Sequence, residues 1–362
     1  MATSYTYDPR QDVPIAPGEQ IREILEERGI AQTDFALRLG KSEKFVSQLI
    51  NGKAPLSYDT AIELERVLGV PASFWNNAES IYRDVLARIR NEHEAAEQGE
   101  WTKSFPLKAM ESKGWIARET KPAQQTEELL SFFGVSSIDA YEKYWGADKR
   151  LAARMSTAYT AATPAIAAWL RAGERAAEKI QAEPYKEPVF RQALSDLRGA
   201  SRLAPSEWCP LVEARCAAAG VVVVFVPDLP KTRCHAVSWW ASRTRAVIQI
   251  GLRYKTDDQV WFSLCHEAGH VLLDDRARSG ISDLNDDPVA EARANQFAAD
   301  CLIPPAEYSA LTSGGKPTIA TVDAFAQRIG IAPSILVGRL QRDGVVPYGQ
   351  MNGLKTKLEW AE

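Results

Sequence analysis

Two of the four histidines in this 362-residue chain stand four apart, in His266-Glu267-Ala268-Gly269-His270, and this H-E-x-x-H run needs a helix to make chemical sense. On an α-helix residues i and i+4 share a face, so both imidazoles address one point and Glu267 stands beside them. On a strand the same two rings would lie about 13 Å apart. The flanking residues supply a helix: Thr256-Asp257-Asp258-Gln259 reads as a capping box, and Val260, Leu264 and Val271 form an apolar stripe. Gly269 costs about 1 kcal/mol in a helix interior relative to Ala, which predicts a close backbone approach there.

Two imidazoles on one face fit Zn²⁺, whose catalytic sites take three protein ligands and keep an open position. His93 lies in a charged helix end, and His235, beside Cys234, reads as a strand or loop residue, so the third ligand is expected to be a carboxylate. Glu291 is the best placed. Its helix has Asp287 as cap and Pro288 in the first turn, and it stops before Pro304-Pro305. Asn295, one turn on, shares the Glu291 face and is placed to orient a ligating side chain. Asp274, Asp275, Asp283 and the Asp286-Asp287 pair remain alternative ligands. The strand expected to pair with an extended substrate is Arg245–Ile250.

The N-terminal text is different. Ile21, Leu25, Ile30, Phe35, Leu39, Val46, Leu49, Ile50, Leu64 and Leu68 recur at helical spacing over four short segments. Gly40 permits the turn that ends the second helix and Ser42 caps the third, a helix-turn-helix pattern. Between Arg38 and Lys53, Arg38, Lys41, Lys44 and Lys53 stand against Glu43, a net +3. On the third helix Lys44, Ser47, Gln48 and Asn51 are able to hydrogen-bond base edges, with Lys41, Ser42, Lys53 and Gln32 near phosphates.

The whole chain carries 43 Lys and Arg against 47 Asp and Glu, so nucleic-acid contact must come from that local patch. The longest apolar run, Ala217–Val226, is too short for a membrane helix, and the N-terminus lacks a secretory pattern. Membrane contact is excluded on that basis and the cytoplasm expected. Five cysteines without paired spacing read as reduced core residues. The expected organisation is multidomain: an all-α helix-turn-helix domain over 1–90, a linker and helical middle region over 91–205, and an α+β C-terminal domain with a helical tail over 206–362. Gln98–Gln125 is the linker candidate, and Thr163–Gln181 and Glu187–Arg198 are helix-like. Val221–Val226, Ala236–Trp240 and Arg245–Ile250 read as strands, the last two as a hairpin. Val322–Asp343 reads as two helices about a glycine turn, a packing element rather than a second DNA reader.

About 80 residues from Tyr7 to Asp84, with APGE, VSQLINGK, SYDTAIELE and Phe74-Trp75, resemble the Cro and lambda-repressor type of helix-turn-helix, specifically HigA-type addiction-module antidotes. That resemblance implies operator DNA as partner and a homodimer. Residues from about Glu207 to Pro305, with GVVVVFVP, WFSLCHEAGHVLL and EARANQFAADCLIP, resemble the ImmA/IrrE family of zinc metallo-endopeptidases. This second resemblance implies a zincin-like fold, zinc ligands His266, His270 and Glu291, and Glu267 as general base. The expected function is a DNA-binding regulator with zinc-dependent endopeptidase activity on itself or a repressor-like protein substrate, any self-cleavage falling in Gln98–Gln125. The other reading is an antitoxin that neutralises a cognate toxin by binding, its peptidase fold a non-proteolytic sensor.

Overall fold

The computed structural model describes residues 15–97, 99–119, 121–146, 163–230, 232, 235–252, 255–274 and 288–360. No described helix is long and apolar enough to cross a membrane. The chain forms two compact units, Met1–Gly99 with Thr120–Glu127 and Glu100–Glu119 with Glu128–Glu362.

The first unit is helical: α1 (Pro17–Glu27), α2 (Gln32–Leu39), α3 (Glu43–Ile50), α4 (Tyr58–Leu68) and α5 (Ala72–Glu97). Ile21, Leu25, Phe35, Val46, Leu49, Leu64 and Trp75 make one core, because each helix places its apolar positions on one stripe. Gly40 ends α2 at φ 69° and its N–H reaches the Ala36 and Leu37 carbonyls. Ser42 then accepts a hydrogen bond from the Phe45 N–H at 3.2 Å, so only three residues separate α2 from α3.

Next come α6 (Gly99–Thr102), α7 (Leu107–Ser112), α8 (Pro122–Phe133), α9 (Ile138–Tyr141), α10 (Thr163–Glu178), α11 (Glu187–Leu197) and α12 (Pro205–Ala217), all in the second unit apart from Gly99 and Pro122–Glu127. The strands β1 (Val221–Phe225), β2 (Ala236–Ser242) and β3 (Arg245–Ile250) form a sheet in the order β1-β3-β2. Pairing is parallel for β1 with β3 and antiparallel for β2 with β3. After it come α13 (Asp257–Leu273), α14 (Pro288–Leu302), α15 (Pro305–Thr312), α16 (Ile319–Ile329) and α17 (Pro333–Arg342). This is the helical-plus-α+β architecture that the sequence predicts.

Both faces of the sheet are covered, which is why β1 is an uninterrupted valine run. Val221, Val223, Ala246 and Ile248 face α13 through Val260, Leu264 and Ala268. Val222, Val224 and Val247 face the middle-region helices through Ile166, Trp169 and Leu170. The middle region therefore shares the sheet's core, and no break between compact units falls at 205/206. Breaks between the compact units, at 99/100 and 119/120, do fall within Gln98–Gln125, the linker candidate, although its described residues are not irregular chain. That stretch holds α6, α7 and the start of α8, and its Phe105, Met110 and Ile116 are buried against Phe132, Phe133 and Tyr141.

The start of α13 differs from the capping box expected of Thr256, whose side chain makes no capping bond. The chain's tail takes that place. The Asp257 N–H donates to the Thr356 carbonyl, and Asp257 Oδ1 accepts from the Thr356 N–H, both at 3.0 Å. Ser334 of α17 donates to Asp257 Oδ2 at 2.6 Å, and Lys355 Nζ lies 2.7 Å from Asp258 Oδ2. With Ile335, Leu336, Val337 and Leu340 buried, α16 and α17 serve as a packing element on α13.

Candidate metal centre and helix-turn-helix face

The H-E-x-x-H run lies inside α13, and His266, His270 and Glu291 of α14 converge on one point, one ligand atom of each lying within 4.8 Å of the others. The two Nε2 atoms are 3.1 Å apart, and each stands 3.4 Å from an oxygen of Glu291. The other ring nitrogens are taken: His266 Nδ1 meets Asn295 Oδ1 at 3.1 Å, and His270 Nδ1 meets Asp274 Oδ2 at 2.7 Å. These partners fix which nitrogen faces the centre.

Close packing of α13 on α14 makes the convergence possible. A Cβ at Gly269 would lie 3.0 Å from Ala294 Cα, tighter than ordinary contact, so glycine lets the two helices approach this far without either giving way. Burial alone would lower the basicity of His270, but hydrogen bonds to Asp274 and Glu291 and the charges of Glu267 and Asp274 outweigh it and raise its pKa from 6.5 to about 10. The neighbouring histidines hold Glu291 well below the usual carboxylate range. Two imidazoles and one carboxylate, braced from behind and attracting positive charge, fit the donor chemistry of Zn²⁺.

Glu267 is buried between this centre and the sheet, 7% exposed, and its Oε2 accepts a hydrogen bond from Ser238 Oγ at 2.7 Å. Ser238 is on β2, which reverses one expectation. Arg245–Ile250 is the central strand, its backbone paired on both sides, so it has no edge to offer a substrate; β2 is the edge strand beside Glu267. A cavity of about 380 Å³ opens next to the centre, lined by Glu267, His266, Glu291 and also His235. Asp274, considered as a ligand, orients His270 instead. Asp275, Asp283, Asp286 and Asp287 lie outside the described residues, as do Cys234 and the His93 side chain. Ser238 gave no sequence signal, since its link to Glu267 spans 29 residues and depends on the sheet.

In the first unit Gln32, Lys44, Ser47, Gln48 and Lys53 are exposed. Three other expected contacts are engaged within the unit. Ser42 caps α3, Lys41 Nζ pairs with Glu63 at 2.9 Å, and Asn51 Nδ2 donates to the Ser47 carbonyl at 2.7 Å while its Oδ1 accepts from Arg22.

A helix-turn-helix family model matches residues 21–75, and a model described as the IrrE N-terminal-like domain matches residues 216–341. No curated protein matches the chain. Similar solved structures include an antidote protein of a plasmid maintenance system from Nostoc punctiforme, at 33% identity over 24% of this chain and 94% of that chain, TM-score 0.23. The Pseudomonas aeruginosa antitoxin HigA with the higBA promoter is 34% identical over 23% of this chain and 90% of that chain, TM-score 0.22. A Pseudomonas aeruginosa protein in complex with its operator DNA is 35% identical over 22% of this chain and 86% of that chain, TM-score 0.21. The chain thus joins a DNA-binding helix-turn-helix domain to an IrrE N-terminal-like domain of the metallopeptidase type.

Proposed function

We propose that the chain is a cytoplasmic transcriptional regulator whose second unit is a zinc-dependent endopeptidase of narrow range, directed at the chain itself or at a repressor-like partner. The observation that supports this most is the convergence of His266, His270 and Glu291 with Glu267 buried alongside. His266 and His270 would offer their Nε2 atoms and Glu291 its carboxylate, with Asn295 and Asp274 holding the rings in place. When bound, zinc supplies Lewis-acid polarisation of the scissile carbonyl. Glu267 takes the proton of the attacking water and returns it to the leaving amine. Ser238 fixes one oxygen of that carboxylate, and the edge of β2 receives the extended peptide backbone.

The first unit binds operator DNA as a homodimer, two α3 helices meeting two half-sites, with Lys44, Ser47 and Gln48 toward the bases and Gln32 and Lys53 toward phosphates. The domain limits that go with this reading are 1–90 for the DNA-binding part and a peptidase part that includes the middle helices.

The deciding experiment incubates the zinc-loaded protein with operator DNA and compares intact masses of wild type and Glu267→Gln. Fragments from the wild type alone are expected. Identical masses from both would overturn self-cleavage, and a repressor-like partner added to the same incubations and left equally intact by both would overturn the peptidase reading in favour of a non-proteolytic sensor, as in an antitoxin that binds its cognate toxin.

A further inference from the structure

The cavity beside the candidate centre continues away from Glu267 along α17, where Arg339 and Arg342 line its wall with Phe262 of α13. The charged groups there are almost all committed. Glu267 accepts from Ser238, Glu291 lies against the two histidines, and Asp258 pairs with Lys355 at 2.7 Å. Arg339 pairs with Asp343 at 2.6 Å. Arg342 is the exception: its guanidinium lies over the Phe262 ring, 4.3 Å from the centroid, and among the described residues it has no hydrogen bond or ion pair.

An arginine stacked on an aromatic ring keeps its N–H edge free for an anion while the ring holds the plane still. Phe262 is also one turn before His266 on α13, with ring centroids 6.1 Å apart, so the guanidinium stands two ring contacts from the centre. An extended peptide advances about 3.3 Å per residue, which places its partner about two or three residues from the scissile bond.

We propose that Arg342 is a specificity-determining residue that binds a carboxylate of the peptide substrate, an acidic side chain or a free C-terminus, a few residues from the bond to be cut. This assignment rests on the peptidase reading. A planar guanidinium takes a carboxylate through two parallel N–H···O bonds, which neither an amide nor a neutral side chain can reproduce. Because Arg342 lies at the exposed end of α17 and covers only the half-buried Phe262 ring, outside the buried core, its replacement is expected to leave the fold and the metal ligands in place.

The test uses the zinc-loaded full chain carrying Glu267→Gln, so that peptides bind without being cut, and sets of fluorescently labelled hexapeptides read by anisotropy. One set carries a single Glu or Gln at each position in turn, with the C-terminus amidated; a second set is neutral, with the C-terminus free or amidated. Either the Glu peptides, at one or two positions, or the free-acid peptides should bind about tenfold tighter than their neutral counterparts. Arg342→Gln should abolish that preference and leave the neutral peptides unchanged, and Arg342→Lys should keep part of it. Binding of peptides without any preference for a carboxylate, or a preference that survives Arg342→Gln, overturns the assignment alone. No binding of any peptide, neutral or acidic, at full zinc content overturns the peptidase reading and this assignment with it.

Discussion

Glu291 and Asp274 both reach imidazoles of the candidate centre, yet their removal should have different consequences. Glu291 faces both Nε2 atoms at 3.4 Å, whereas Asp274 reaches only His270 Nδ1, on the far side of the ring. Glu291→Ala is expected to reduce zinc from about one per chain to a small fraction after dialysis, measured by elemental analysis. Asp274→Ala should still load the metal but release it to a competing chelator at about 10- to 100-fold lower affinity, because the ring loses its orienting partner. Equal losses in both variants would mean that Asp274 coordinates directly. In the first unit, Lys44→Ala and Gln48→Ala should weaken operator binding in a gel shift with the helical signal unchanged. Lys41→Ala should weaken it less than Lys44→Ala, since Lys41 is already paired with Glu63.

Among elements, the α13–α14 contact carries the centre, and Gly269 is where it is closest. Alanine at 269 would gain about 1 kcal/mol of helix propensity but place a Cβ within 3.0 Å of Ala294 Cα. Overpacking of this kind costs about 1–3 kcal/mol, so Gly269→Ala should lower the melting temperature and loosen zinc together. A raised melting temperature would show that α14 yields without cost. The H-E-x-x-H face and the Glu291–Asn295 face were legible in the sequence because each rests on local periodicity, and a close approach at this point was signalled by one anomalous glycine, Gly269. The Ser42 cap was legible for the same reason. What could not be read depends on pairing across long separations. The edge position of β2, the Ser238–Glu267 bond and the burial of Phe105 and Met110 follow from strand order and layer packing, which the spacing of residues within one segment does not encode. The tail's bonds to Asp257 and Asp258 span 99 and 97 residues, so a local capping box was the natural but incorrect reading of Thr256.

At the scale of the whole molecule, the two units give metal binding a selective effect. All three candidate ligands belong to Glu128–Glu362, and none to the helix-turn-helix unit. A ligand that binds only the folded state stabilises it by mass action, about 2.7 kcal/mol at a free concentration of 100 times Kd. That energy enters only the unit that holds the ligand. Calorimetry of the full chain should therefore show one transition that moves upward with zinc and falls back with a chelator, and another that stays fixed. The moving transition should carry the larger enthalpy, since it contains the sheet and both of its helical layers. A gel shift run on the same two samples then reports on regulation. For the Glu267→Gln variant, which leaves the chain uncut, equal operator affinity with and without zinc is expected if the metal serves peptide hydrolysis, because hydrolysis needs no change in the DNA-binding unit before a bond is cut. A several-fold change in affinity on zinc loading alone, with the Glu267→Gln variant behaving as the wild type, would instead make the metal a regulatory ligand, since coupling between two sites must appear in the affinity of each.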